Sequence, residues 1–213
     1  MGFEIEKLDL EGMLLIHAHV ANDNRGFYRK NFERNIFAEN GLDFSVTEWS
    51  DIYSHKGAIR GLHFQTGESQ AKLLHVIKGA IYDVAVDLRR DSSTFGKWHG
   101  ETLRENDHKG LYIPEGFAHG FLALEDNTIF SYQCSGRYLP EQCGGIYYKD
   151  TQLNIQWPME GLTGKYCRKK ISMQCLLKNT AKDIFDTRED GCERCNRYRG
   201  KWFYGTSSGA DTD

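Results

Sequence analysis

Three stretches of this sequence set residues that can move protons or hold anions among apolar, strand-like neighbours. The first, Gly57-Ala-Ile-Arg60-Gly-Leu-His63-Phe-Gln65, carries a guanidinium and an imidazole three positions apart. In a regular strand that spacing puts them on opposite faces, unless a bulge or the Gly61 position re-aims one. A single histidine in a β-barrel is more often structural than functional, and its titration range is what makes His63 a candidate. The second stretch is Ile113-Pro-Glu-Gly-Phe-Ala-His119-Gly-Phe121, in which Pro114 and Gly116 form a tight turn before His119 opens a strand. The third, Phe130-Ser-Tyr132-Gln-Cys-Ser-Gly-Arg-Tyr138, has two phenols at even separation, hence on one face. The ordinary fate of such tyrosines is to fill a barrel core with their hydroxyls at the rim.

The elements that must position these groups read as β-structure. Segments at Met13–Ala18, Lys72–Val76, Ala80–Asp87, Lys109–Ile113, Phe121–Leu124, Thr128–Cys134 and Ile146–Tyr148 are strand-like and separated by turns such as Lys78-Gly79, Asp126-Asn127 and Gly144-Gly145. Ala80 to Asp87 alternates almost strictly, the period of a strand packed on one face. One helix is expected over Asn31–Asn40, where Phe32, Ile36 and Phe37 share a face. Many short strands and few helices predict an all-β sandwich or barrel. The character changes after Trp157-Pro158, and the expected division is a β-domain over 1–164 and a polar C-terminal extension over 165–213, partly disordered or packed on the barrel.

Composition narrows the function. With 213 residues, 39% apolar and 27% charged, the chain is long enough to bury a core. A net charge of −3 gives no basic footprint for nucleic acid. No apolar run is long enough to span a bilayer, and Met1–Leu10 lacks the hydrophobic stretch of a secretory signal, so a cytoplasmic protein is expected. Disulfides are therefore not expected among the six cysteines. Cys192 and Cys195 form a CxxC that, with Cys167 and Cys175, offers four thiolates to zinc, but the spacing matches no usual zinc knuckle and free thiols are the simpler reading.

Jelly-roll barrels often hold metals on a His-x-His pair, a nearby Glu and a later His. Here His63-Phe64-Gln65 breaks the pair and Glu68 is the nearest carboxylate, although Gly110 to His119 looks like the second, cupin-type element. Two histidines alone leave a metal under-coordinated, so metal-free chemistry is expected.

Taken in order, Arg25-Gly-Phe27, Arg60-Gly-Leu-His-Phe-Gln65, Asp83-Val-Ala-Val-Asp-Leu-Arg89, Ser93-Thr-Phe-Gly96, Ile113 to Phe121 and Ile155-Gln-Trp-Pro158 resemble successive signatures of the dTDP-4-dehydrorhamnose 3,5-epimerase family. The resemblance implies a homodimeric, cofactor-free jelly roll that inverts carbons flanking the 4-keto group of a nucleotide-linked hexose, most readily a dTDP sugar. A C–H beside a ketone is weakly acidic, so the reaction needs a base, a stabiliser for the enolate oxygen, and an acid on the opposite face. By the resemblance His63 is the base, Tyr132 the acid, Lys72 the cation near the enolate and Asp83 its carboxylate neighbour. Arg25, Arg60 and His119 then contact sugar, phosphates or nucleotide, Phe27 and Tyr138 offer aromatic surface, and Gln65 and Arg168 join the substrate contacts.

The chain also departs from that pattern. Lys30 stands where the family has Glu, Glu48-Trp49-Ser50 where it has Gln-Asp-Asn, and Cys143 where a Glu is common. Arg168 and Lys169 occupy the place of the Lys-Asp whose carboxylate partners the histidine base, with Asp183 and Asp186 as possible substitutes. These differences bear on the nucleotide recognised. They also keep two alternatives in view: a non-catalytic nucleotide-sugar-binding cupin and a metal-dependent cupin enzyme.

Overall fold

Strands that are apolar on one face must find an apolar partner, and here two sheets supply it to each other. A computed structural model describes residues 2–162 and the backbone of a short strand at Lys165–Tyr166. In chain order the strands are β1 (Glu4–Lys7), β2 (Leu14–His17), β3 (His19–Asp23), β4 (Gly26–Lys30), β5 (Glu48–Ser54), β6 (Ala58–Gln65) and β7 (Lys72–Lys78). They continue as β8 (Ala80–Asp87), β9 (Trp98–Arg104), β10 (Lys109–Ile113), β11 (Phe117–Ala123), β12 (Thr128–Cys134), β13 (Cys143–Gly145) and β14 (Lys165–Tyr166), with one helix, α1 (Arg34–Glu39). Apart from β14, the expected extension over 165–213 lies outside the described residues, and with it Arg168, Lys169, Asp183, Asp186 and four of the cysteines.

The front sheet runs β1-β2-β10-β7-β12-β5 and the back sheet β13-β6-β11-β8-β9, with β14 pairing β6. From β5 to β12 the chain crosses repeatedly between the two sheets, the winding of a jelly roll. The sheets stay separate instead of closing into one hydrogen-bonded cylinder. Between them lies the core. Leu15, Leu74, Leu111 and Phe130 from the front pack against Ile81, Ala85, Leu103 and Phe121 from the back. The Phe121 and Phe130 rings meet edge-on at 4.5 Å and bridge the two layers.

The outer faces differ. The back sheet is covered by the chain after β13, where Ile146, Leu153 and Ile155 pack on Leu62, Phe64, Val84 and Val86. Trp98 and Trp157 pin this cover by donating their indole N–H groups to the Leu153 and Tyr148 carbonyls, each at 2.8 Å. The front sheet is covered by α1 and its flanks, through Phe37 and Phe44 on Leu14, Ile16 and Leu73. Toward its β5 edge it is bare, with Trp49 and Tyr53 exposed at 70% and 46%. The hairpin β3–β4 forms a two-stranded sheet of its own.

At the end of β8 a single carboxylate organises the following loop. Asp87 has no exposed side-chain surface and accepts hydrogen bonds from the Arg89 guanidinium at 2.7 Å, Ser92 at 2.6 Å and Thr94 at 2.7 Å. Burial alone would raise its pKa, but these donors outweigh it and hold the carboxyl at about 2.

Three expected strands, Ala80–Asp87, Lys109–Ile113 and Thr128–Cys134, have the bounds expected. The helix is shorter than expected, because only the central turn of Asn31–Asn40 is helical. Ile146–Tyr148 is not a strand; pairing precedes it in β13, and Ile146 and Tyr148 are instead buried in the outer cover.

Candidate active site

The site begins with a bulge. Strand β11 pairs His119 with His63 but Phe121 with Arg60, so between these pairs the single Gly120 of β11 stands opposite two residues of β6, Gly61 and Leu62. The extra residue in β6 puts Arg60 and His63 on one face despite their odd spacing. Glycine is required there. Gly61 has φ +120°, and a Cβ at that position would stand 2.2 Å from the Gly120 Cα. The two strands thus approach where two histidines sit side by side.

His119 continues the arrangement inward. Its Nε2 lies 3.0 and 2.8 Å from the two oxygens of Asp83 on β8, whose side chain is fully buried. Such a carboxylate fixes the orientation of the imidazole ring. Asp83 is therefore foremost the partner of His119, and it reaches Lys72 only as a more distant charge.

The front sheet contributes the opposing wall. On β7 Lys72 is paired with Cys134 of β12, and Cys134 in turn with Glu48 of β5. Burial pulls the Lys72 ammonium below its ordinary range, against the pull of Cys134, Cys143, Glu48 and Asp83 around it. Tyr132 stands on the same face, next to Phe130 and packed on the core. Its phenol is pushed up to about 12 by burial first, then by Cys134 and Glu48, while a hydrogen bond with Ser50 acts in the opposite sense. Thus His63, His119 and Asp83 come from the back sheet, Lys72 and Tyr132 from the front, above the Phe121–Phe130 pair.

The remaining expected residues divide. Arg60 lies at the rim, where its guanidinium donates to Ser54 Oγ and to the Tyr53 carbonyl, both at 3.2 Å. Gln65 is engaged by the loop ahead of β13: its carbonyl accepts from the Leu139 N–H and its amide donates to the carbonyls of Arg137 and Glu68. Tyr138 hydrogen-bonds Cys143 from that loop and is 39% exposed. Arg25 and Phe27 are not brought to this cluster. They sit at the turn of the β3–β4 hairpin, where Arg25 pairs with Asp23 at 2.6 Å and Phe27 meets His108. Arg29 ties the hairpin to the Val76 carbonyl, about 13 Å along β7 from Lys72 at strand rise. Arg168 lies outside the described residues.

Comparison with known proteins decides the family. The sequence model of the dTDP-4-dehydrorhamnose 3,5-epimerase family matches residues 7–178. This chain belongs to that family. The Methanothermobacter thermautotrophicus dTDP-4-dehydrorhamnose 3,5-epimerase is 44% identical over 158 residues, covering 74% of this chain and 85% of the relative. The structure of the Legionella pneumophila 3,5-epimerase in complex with dTDP-4-keto-L-rhamnose superposes with a TM-score of 0.75 at 35% identity, over 78% of this chain and 89% of that one. A 3'-monoepimerase from Streptomyces bikiniensis in complex with dTDP-quinovose gives 0.70 at 31% identity, over 75% and 81%. The jelly roll expected from the epimerase signatures is the fold of the family.

Three members of the cluster escaped sequence reading as site residues: Glu48, Ser50 and Cys134. Along β5 exposure alternates cleanly, with Glu48, Ser50, Ile52 and Ser54 inward and Trp49, Asp51 and Tyr53 outward. Hydrophobicity does not follow that alternation, since the outward residues are as apolar as the inward ones. A strand whose polar face looks into a sandwich is the signal that was available. Among the described residues Cys134 and Cys143 are free thiols, and no group of three or more His, Cys, Asp or Glu is placed to hold a metal ion.

Proposed function

We propose that this chain epimerises a nucleotide-activated 4-keto-6-deoxyhexose, dTDP-linked as in its relatives, by removing a proton beside the ketone and returning one to the opposite face. The observation that carries this reading is that two imidazoles lie on one sheet and a phenol and a lysine on the sheet packed against it, in a chain of an epimerase family. In this reading His63 takes the C–H proton. Lys72 supports the enolate oxygen, since a developing negative charge favours an ammonium that burial otherwise disfavours. Tyr132 delivers the new proton. His119, held in place by Asp83, and Arg60 at the rim meet the sugar oxygens and the phosphates.

The chain also acts as a homodimer in this reading. Arg25 and Phe27, held at the far end of β7 from their own Lys72, then serve the site of a second copy.

Incubating the full chain with dTDP-4-keto-6-deoxyglucose in D₂O tests the function. Deuterium should enter at C3, C5 or both, and His63→Ala and Tyr132→Phe should each slow entry by roughly 10²–10⁴-fold. A chain that binds the nucleotide sugar yet incorporates no deuterium is a binding module, and the enzymatic reading fails.

A further inference from the structure

An epimerase that works with one base and one acid does not finish a turnover in the state in which it began. Each inversion leaves the base protonated and the acid deprotonated, and both must be reset before the next. Resting on the function proposed above, Tyr132 ends each inversion as a phenolate. Burial and its neighbours disfavour that phenolate. Its proton must come from somewhere, and the front sheet narrows the choice.

Three polar side chains face Tyr132 from its own strand and from β5, which flanks that strand on the side away from Lys72 of β7: Cys134, Ser50 and Glu48. Cys134 is 1% exposed, its thiol pushed up to about 11, first by burial. It has no route of its own to water. Ser50 lies directly opposite Tyr132 in the β5–β12 ladder, so its hydroxyl is the nearest polar partner that β5 offers the phenol. Ser50 Oγ donates in turn to Glu48 Oε1 at 3.1 Å. Glu48 begins β5 at the edge of the front sheet and is only half-buried, so its carboxyl exchanges protons with solvent.

We propose that Glu48 and Ser50 form a proton relay that returns the catalytic phenol of Tyr132 to its protonated state after each inversion. In the resting chain the phenol O–H donates to Ser50 Oγ and the serine O–H donates to Glu48. When the phenol has given its proton to carbon, the serine O–H turns to the phenolate. One proton passes from Ser50 to Tyr132, one from the protonated Glu48 carboxyl to Ser50, and one from water to Glu48. The sum is one solvent proton delivered to the phenolate. No oxidant or other reactant is needed, and Glu48 and Ser50 end as they began.

The relay predicts a separation between the first turnover and those that follow. In Ser50→Ala and in Glu48→Gln the first inversion needs no reset, so a stoichiometric burst of deuterium should form at close to the unaltered rate. Steady-state turnover should then fall about 100-fold, the low end of what a lost proton-transfer step costs. Added imidazole buffer should restore it in proportion to its concentration, and Ser50→Thr, which keeps a hydroxyl, should turn over normally. A purely structural role would lower burst and steady state together, without response to buffer. That result, or unaltered steady-state rates in both variants, overturns the relay while leaving the epimerase reading in place. Absence of any exchange in the unaltered chain overturns both.

Discussion

Residue by residue, the site is a set of groups moved from their ordinary titration by burial and by each other. Tyr132 near 12 and Lys72 below its usual range are moved in opposite directions by one cause, loss of water around the charged form. Away from the cavity, Asp87 gives the clearest pH prediction. Its carboxyl ionises at about 2 in the folded chain against 3.8 for the free group, so the unfolded chain binds the proton more readily. The stabilisation is complete above pH 3.8 and lost as pH falls from 3.8 toward 2. Asp87→Asn should flatten that stretch of the acid-unfolding curve and cost on the order of 3 kcal/mol at neutral pH, measured by urea unfolding. An unchanged curve would mean that the Arg89, Ser92 and Thr94 contacts contribute nothing. His63, Asp83 and His119 lie within stretches that carry the family resemblance, and Lys72 and Tyr132 were expected from that resemblance alone; the two facing sheets supply all five. Ser50 and Glu48 were legible only as departures, since nothing in a linear reading tells that they face a phenol seven strands later in the chain.

At the scale of elements, the decisive feature is the bulge in β6. A regular strand would have separated Arg60 from His63, and the sequence left that question open between a bulge and a glycine kink. The structure uses both, because the bulge brings Gly61 against Gly120 at a distance no Cβ tolerates. Gly61→Ala should therefore destabilise the chain by roughly 2–4 kcal/mol, read as a lowered midpoint in thermal or urea unfolding. Among molecules that remain folded, exchange activity should drop as the strand re-registers. Wild-type stability in this variant would show that β6 and β11 relax freely. Strand β8 was readable because both of its neighbours are strands of the same sheet and its alternation is undisturbed. Strand β5 was not, because its inward face is polar where it meets the site residues of β12 and its outward face carries Trp49 and Tyr53.

For the molecule as a whole, the two outer faces have different fates. The back sheet is clad by its own chain, while the front sheet shows Trp49, Tyr53 and Ile77 to solvent. Such exposure depends on which segments fold over which face, and sequence reading gives no account of it. If this bare region joins two copies, Trp49→Glu combined with Tyr53→Glu should shift the chain from dimer to monomer in sedimentation velocity; a monomeric unaltered chain would remove the homodimer from the proposal. The aromatic bridge of Phe121 and Phe130 has a consequence of its own. It ties the two layers together beside Tyr132, and in the proposed reaction a seated sugar nucleotide stands between that buried phenol and the medium. While the ligand stays, isotope from the medium must travel through side chains in the wall, and the rate at which label enters becomes a gauge of how well the wall conducts.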